Sequence, residues 1–171
     1  MTSHLLDRLK SHDDRRMPRG ECVFCDIIER RQPAYIVAET DDVIAFLDVL
    51  PIRAGHTLVV PKSHVKSISD LSPKQSASLM LNVVSVARTM EKAFGITGLQ
   101  VAANQEYAQA VDHVHFHIVP APLPSGSSSP LEKYNTQGTL QLMGRRDELG
   151  DEEGEDLANR MRTATGTLAK L

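Results

Sequence analysis

Three histidines, His113, His115 and His117, occupy alternate positions in the apolar segment Val111–Pro120. In an extended chain successive side chains point to opposite faces, so the imidazoles line one side and Val114, Phe116 and Ile118 the other. The row then spans about 13 Å, room for a phosphate group, a metal ion, or both. A single strand histidine is an ordinary structural residue. Three in register must border something polar, since each buried without a partner would cost about 1–3 kcal/mol.

A neutral imidazole, with an unperturbed pKa of about 6.5, is a competent nucleophile near neutral pH. Attack on phosphorus gives a phosphohistidine that water can cleave, with a flanking histidine holding the phosphate oxygens. The same residues could instead form a catalytic zinc site that activates water. Against that, the nearest carboxylate, Asp112, alternates away from the histidine face.

The two cysteines, Cys22 and Cys25, are spaced C-x-x-C. That count excludes a disulfide framework and leaves a zinc knuckle, a redox pair, or two unrelated buried thiols. Available histidines favour the first, because structural zinc prefers a tetrahedral Cys2His2 shell.

The elements that must carry these residues follow from patterning. A short helix is expected over Cys22–Arg31, stopped before Pro33. Tyr35–Ala38 and Val43–Leu47 are strand-like runs joined by the turn Glu39–Asp42, and Thr57–Val60 gives a third strand in a meander. Ser72 as N-cap and Pro73 at the first helical position open a long helix that Gly95 closes. Its stripe of Leu79, Val83, Val86, Ala87, Met90 and Phe94 should pack on the sheet. Leu99–Ala103 and the histidine segment from Val111 complete five strands. The expected fold class is α+β, with a mainly antiparallel five-stranded sheet, one long packed helix and a short N-terminal helix.

Residues 1–20 are polar and charged and read as a mobile arm, 21–121 as one domain, and 122–171 as a C-terminal extension. That extension starts with a Pro-, Ser- and Gly-rich loop and is expected to carry a helix over 151–170, with Leu157, Met161 and Leu168 on one side. With 171 residues, 41% hydrophobic and 24% charged, the chain can bury one real core. Its net charge of −3 argues against a nucleic-acid polymer as partner and leaves a single nucleotide compatible. No apolar run reaches the roughly 20 residues needed to span a bilayer, and Met1–Gly20 lacks the apolar centre of a signal peptide. An intracellular protein, cytoplasmic or also nuclear, is expected.

The run His113-Val114-His115-Phe116-His117, preceded by Gln109-Ala110-Val111-Asp112, resembles the signature of the histidine triad (HIT) family of nucleotide hydrolases and transferases. Cys22–Ile28, Ala45–Asp48 and Gly55–His64 agree in order and spacing, so the resemblance covers roughly residues 21–121. It points to the Hint branch, adenosine 5'-monophosphoramidases, and in Val111–Val119 particularly to fungal members. The resemblance implies a HIT-like fold and a hydrolase acting on phosphorus–nitrogen bonds. His115 would be the nucleophile that becomes adenylylated, with His117 and His56 contacting the α-phosphate or orienting the nucleophile. Asp48 would hold the ribose hydroxyls; Phe24, Ile27, Phe46, Val49 and Leu58 would surround the purine; Asn104 and Gln109 would lie at the nucleotide. Cys22, Cys25, His64 and His113 would bind a structural zinc that the chemistry does not require. Relatives commonly form homodimers through the long helix and an edge strand.

The chain departs from the family before the triad. Val101–Gln109 carries no glycine and is one residue shorter than the usual Gly-containing loop, Ala110 stands where a hydroxyl residue is common, and no tryptophan is present. Two other readings share the same pocket: dinucleoside polyphosphate hydrolysis, and AMP binding without turnover by a sensor or scaffold.

Overall fold

The computed structural model describes residues 22–124, 126–134 and 147–165. The expected N-terminal arm and Leu168 lie outside these. Five strands, β1 (Ile36–Glu39), β2 (Val43–Leu47), β3 (Thr57–Pro61), β4 (Leu99–Ala102) and β5 (Phe116–Pro120), form one sheet in the order β1-β2-β3-β5-β4. Every neighbouring pair is antiparallel. With the three α-helices among the described residues, α1 (Val23–Ile28), α2 (Pro73–Phe94) and α3 (Asp151–Thr165), this is the expected α+β architecture.

All residues of β2 and β3 are buried, because both faces of the sheet are covered. The two-residue period divides them. Val43, Ala45, Leu47 and Val59 join the core under α2, while Ile44, Phe46, Leu58 and Val60 join a smaller core with Val23, Phe24 and Ile27 of α1. Ile118 of β5 enters the larger core. His117, one residue earlier and paired with Leu58, therefore faces the α1 side.

The long helix starts and stops where its residue types require. Ser72 accepts from the Gln75 N–H while Gln75 reaches back to the Ser72 N–H, a capping box, and Gly95 closes the helix at φ 63°. Leu79, Val83, Val86, Met90 and Phe94 are buried.

Two boundaries differ from the pattern-based expectation by more than one residue. α1 ends at Ile28 rather than Arg31: Arg30 adopts φ 62°, and the N–H groups of Arg31 and Gln32 both turn back to the Asp26 carbonyl, so the helix stops ahead of Pro33 on its own. β5 begins at Phe116, not Val111. The His113 N–H donates to the Val111 carbonyl at 2.7 Å, a three-residue turn that bends the chain before the ladder starts.

α3 supplies Leu157, Ala158 and Met161 to the larger core and packs on α2 and β1. Gly154 has a packing reason in this helix: a Cβ there would lie 2.6 Å from the Tyr35 ring. The Tyr35 hydroxyl donates to Asp151 at 2.5 Å, which fixes the ring in that position. Just ahead of α3, the Leu149 N–H donates to the Val49 carbonyl at 3.0 Å and so tethers the loop that carries Asp48.

Candidate active site

A cavity of about 470 Å³ opens on the α1 side of the sheet, within the size range of small-molecule sites. One wall is apolar, with Phe24, Ile27, Phe46, Val49 and Leu58, and Asp48 stands beside it. His115 and His117 lie on the floor, and Asn104 is on the opposite wall.

The tautomer of His115 is set by its own chain. Nδ1 of His115 donates to the His113 carbonyl at 2.7 Å, which leaves Nε2 as the lone-pair nitrogen. Burial pushes the His115 pKa below its ordinary value, so the ring is neutral at pH 7. The Phe24 ring stands edge-on to His115 at 5.2 Å between centroids and holds its plane.

His117 and His56 form a pair, with Nε2 of His56 3.0 Å from Nδ1 of His117. His56 is 1% exposed and sits behind His117 rather than on the cavity surface. Its Nδ1 meets two groups: the Ile52 N–H at 3.1 Å and Oδ2 of Asp48 at 3.2 Å. Without a proton on Nδ1 the ring accepts from Ile52, and with one it donates to Asp48. Oδ1 of Asp48 accepts from the Leu50 N–H at 2.9 Å, so the carboxylate both shapes its loop and faces His56.

The third histidine turns away from this cavity. His113 is fully buried, its Nε2–H donating to the Pro61 carbonyl at 2.8 Å, and Nδ1 faces the thiols of Cys22 at 3.3 Å and Cys25 at 3.7 Å. Burial takes its pKa down to about 4, which keeps the ring neutral and available as a ligand. Nδ1 of His64 lies 3.3 Å from Sγ of Cys25. The four donor atoms fall within 4.8 Å of one another. Tetrahedral zinc with Zn–S of about 2.3 Å and Zn–N of about 2.0 Å requires N···S edges of about 3.5 Å, so the donor set fits that ion. A metal-bound histidine usually donates its other N–H to a carbonyl or carboxylate, which fixes the ring, as His113 does to Pro61. Burial and the neighbouring Cys22 push the Cys25 thiol up to about 11, a preference that a bound dication would reverse.

Gln109 is placed differently from the expectation. Its side chain accepts from the Glu106 N–H at 2.8 Å and donates to the Lys66 carbonyl at 3.0 Å, bracing the loop before the triad instead of lining the cavity. Residue patterning missed Gln100, Ala102 and Tyr107, which do line it. For Ala102 a signal existed: it pairs with His117 across β4 and β5 and so shares its face.

Known proteins resemble this chain in sequence and fold. The model of the HIT domain matches residues 29–122. A HIT-like protein of Saccharolobus solfataricus is 41% identical over 101 residues, covering 58% of this chain and 73% of that protein. An adenosine 5'-monophosphoramidase of Schizosaccharomyces pombe is 38% identical over 103 residues, 59% of this chain and 74% of that protein. Among solved structures, a hypothetical histidine triad nucleotide-binding protein from Sulfolobus tokodaii superposes with a TM-score of 0.72 at 29% identity, over 86% of this chain and 93% of that one. A zinc-bound histidine triad family protein from Mycobacterium smegmatis gives 0.67 at 30% identity, over 86% and 95%. With its family model spanning more than half of the sequence and these relatives sharing its sheet and helices, the chain belongs to the HIT domain family.

Proposed function

We propose that this HIT-family nucleotide hydrolase cleaves adenosine 5'-phosphoramidates to AMP and an amine through a covalent intermediate on His115. The observation that carries this reading is the bare Nε2 of a neutral His115 on the floor of a cavity whose one wall is apolar. The purine lies between Phe24, Ile27, Phe46, Val49 and Leu58, the ribose hydroxyls reach Asp48, and the phosphate sits over His115 and His117 near the Asn104 carboxamide. Nε2 of His115 forms the bond to phosphorus as the phosphorus–nitrogen bond breaks, and the departing amine takes a proton from Nε2 of His117. His56 hands its Nε2 proton to Nδ1 of His117, and its Nδ1–H stays on Asp48. Water then attacks phosphorus, restores His115 and returns its proton to the pair.

Zinc held by Cys22, Cys25, His64 and His113 would supply stability, not chemistry: it ties α1 and the end of β3 to the segment that presents His115. A similar protein described as zinc-bound supports zinc as the ion. A homodimer belongs to the same reading. Met80, Leu81 and Val84 of α2 and Val101 of the edge strand β4 are large apolar residues left exposed, with Leu81 72% accessible.

The test is turnover of an adenosine 5'-phosphoramidate beside a diadenosine polyphosphate, with the wild-type chain and His115→Ala. Faster release of AMP from the amidate, lost in the variant, is the expected result. Preferential cleavage of the dinucleotide would move the protein to that activity, and AMP binding without turnover of either would make it a nucleotide-binding protein.

A further inference from the structure

The sheet order lays the cavity out from one side to the other. α1 and β2 carry the apolar wall, β5 brings the histidines to the middle, and β4 with the loop after it forms the far side. β4 ends at Ala102, opposite His117, and the chain returns at Val111, two residues before His113. The loop of residues 103–110 therefore joins the edge strand to the histidine segment, and its Asn104, Tyr107, Ala108 and Ala110 line the cavity beside His115 and His117. Tyr107 stands in this loop, 81% exposed yet part of the cavity lining.

The loop is built to hold that ring out. Glu106 and Ala108, on either side of Tyr107, adopt φ 60° and 56°, a left-handed conformation that costs a residue with a Cβ about 1–2 kcal/mol. Two glutamines hold this shape. Gln105 accepts from the Ile68 N–H at 3.0 Å, and Gln109 bridges the Glu106 N–H and the Lys66 carbonyl. Beside the tyrosine the lining is small, Ala102, Ala108 and Ala110, so space remains next to the ring.

We infer that Tyr107 is a specificity-determining residue for the leaving group, stacking on a planar aromatic ring joined by a short linker to the amine. The inference rests on the phosphoramidate reading of the site. With the base in the apolar wall, the ribose at Asp48 and Nε2 of His115 attacking from the floor, the leaving amine lies in line with that nitrogen on the open side of phosphorus, at the cavity mouth that Tyr107 lines. There an exposed tyrosine offers a flat apolar face with little conformational entropy to lose, the property that makes aromatic rings effective contact residues.

The probes are the adenosine 5'-phosphoramidates of 2-phenylethylamine and of methylamine, together with the matching adenosine 5'-carbamates, which bind but contain no phosphorus to attack. The wild-type chain is expected to favour the phenylethyl member of each pair by tenfold or more, in kcat/KM for the amidates and in Kd for the carbamates. Tyr107→Ala should cut that ratio to threefold or less, and Tyr107→Phe should retain it. The ring is exposed, so the alanine variant loses no core packing, and thermal unfolding checks that it is folded. An unchanged ratio in Tyr107→Ala, a lost ratio in Tyr107→Phe, or no preference in the wild-type chain would each overturn the inference. Preferential carbamate binding that depends on Tyr107, with neither amidate turned over, would uphold Tyr107 and remove the phosphoramidase reading instead.

Discussion

Nε2 of His56 lies 3.0 Å from Nδ1 of His117, although 61 positions separate them in the chain. His56 is closed off from the cavity, and its other nitrogen faces Asp48, so it acts on substrate only through His117. In the proposed mechanism it is a positioning residue with a proton to pass on. His56→Ala should lower kcat for an alkylamine phosphoramidate by about 10²-fold, the lower end of the range for general acid–base catalysis. The p-nitrophenyl ester of AMP, whose phenolate departs without a proton, should lose far less. Equal losses on both substrates would show that His56 merely supports the fold.

The cage of Cys22, Cys25, His64 and His113 predicts one zinc per chain by atomic absorption. Cys25→Ser should reduce that occupancy to a small fraction. Because metal binding to the folded chain adds its free energy to stability, chelation should lower the wild-type Tm by at least about 5 °C and leave Cys25→Ser nearly unmoved. Equal response of the two chains to chelator would disprove the assignment.

Gly154 and Tyr35 fit only because one of them has no side chain. A Cβ at position 154 would meet the tyrosine ring at 2.6 Å, and the hydrogen bond to Asp151 stops the ring from swinging aside. Gly154→Ala gains about 1 kcal/mol of helix propensity and incurs overpacking of about 1–3 kcal/mol. A net loss of up to about 2 kcal/mol, a fall in Tm of up to about 8 °C, is expected. In a Tyr35→Ala background the same substitution should be neutral or stabilising. A penalty that persists there would place the strain elsewhere.

Asp156 ties α3 to the turn at Pro130–Tyr134. Hydrogen bonds from Arg160 first, then from Tyr134, hold its carboxyl down to about 2 from an ordinary 3.8. A depressed carboxyl pKa contributes stability that is fully present above the unfolded value and fades as pH falls through the folded one. The group is at the surface, so the effect is a few tenths of a kcal/mol. Asp156→Asn should therefore have a lower Tm than wild type at pH 6, with the difference closing by pH 2. A difference constant across that range would mean that the charge plays no part.

Much of the scaffold was legible because it is encoded locally. Val43–Leu47 reads as a strand and is one, and Ser72, Pro73 and Gly95 bound the long helix where their backbone preferences place them. The alternation that sets His117 against Ile118 follows from the pleat alone. Residue types also bound the chemistry: three in-register histidines and a C-x-x-C pair point to phosphorus and to zinc before any contact is known. Asp48, by contrast, became a candidate only through the family resemblance, since an aspartate ahead of a proline-containing loop is an ordinary turn residue by itself.

What the sequence by itself determined, then, is the order of the strands in the chain, the capped helix, and the residue types gathered for the site. Tertiary structure decided which histidine does what. Position along a strand makes His113, His115 and His117 equivalent, yet the turn at Val111–His113 sends the first to the cysteines, 88 and 91 residues away, and leaves the other two in the cavity. It also moved Gln109 from the nucleotide to the loop backbone and brought Tyr107 to the cavity mouth. The physical reason is range. Backbone propensity and side-chain alternation act over a few residues, whereas the tautomer, burial and partner of an imidazole depend on atoms that only the packed sheet brings together.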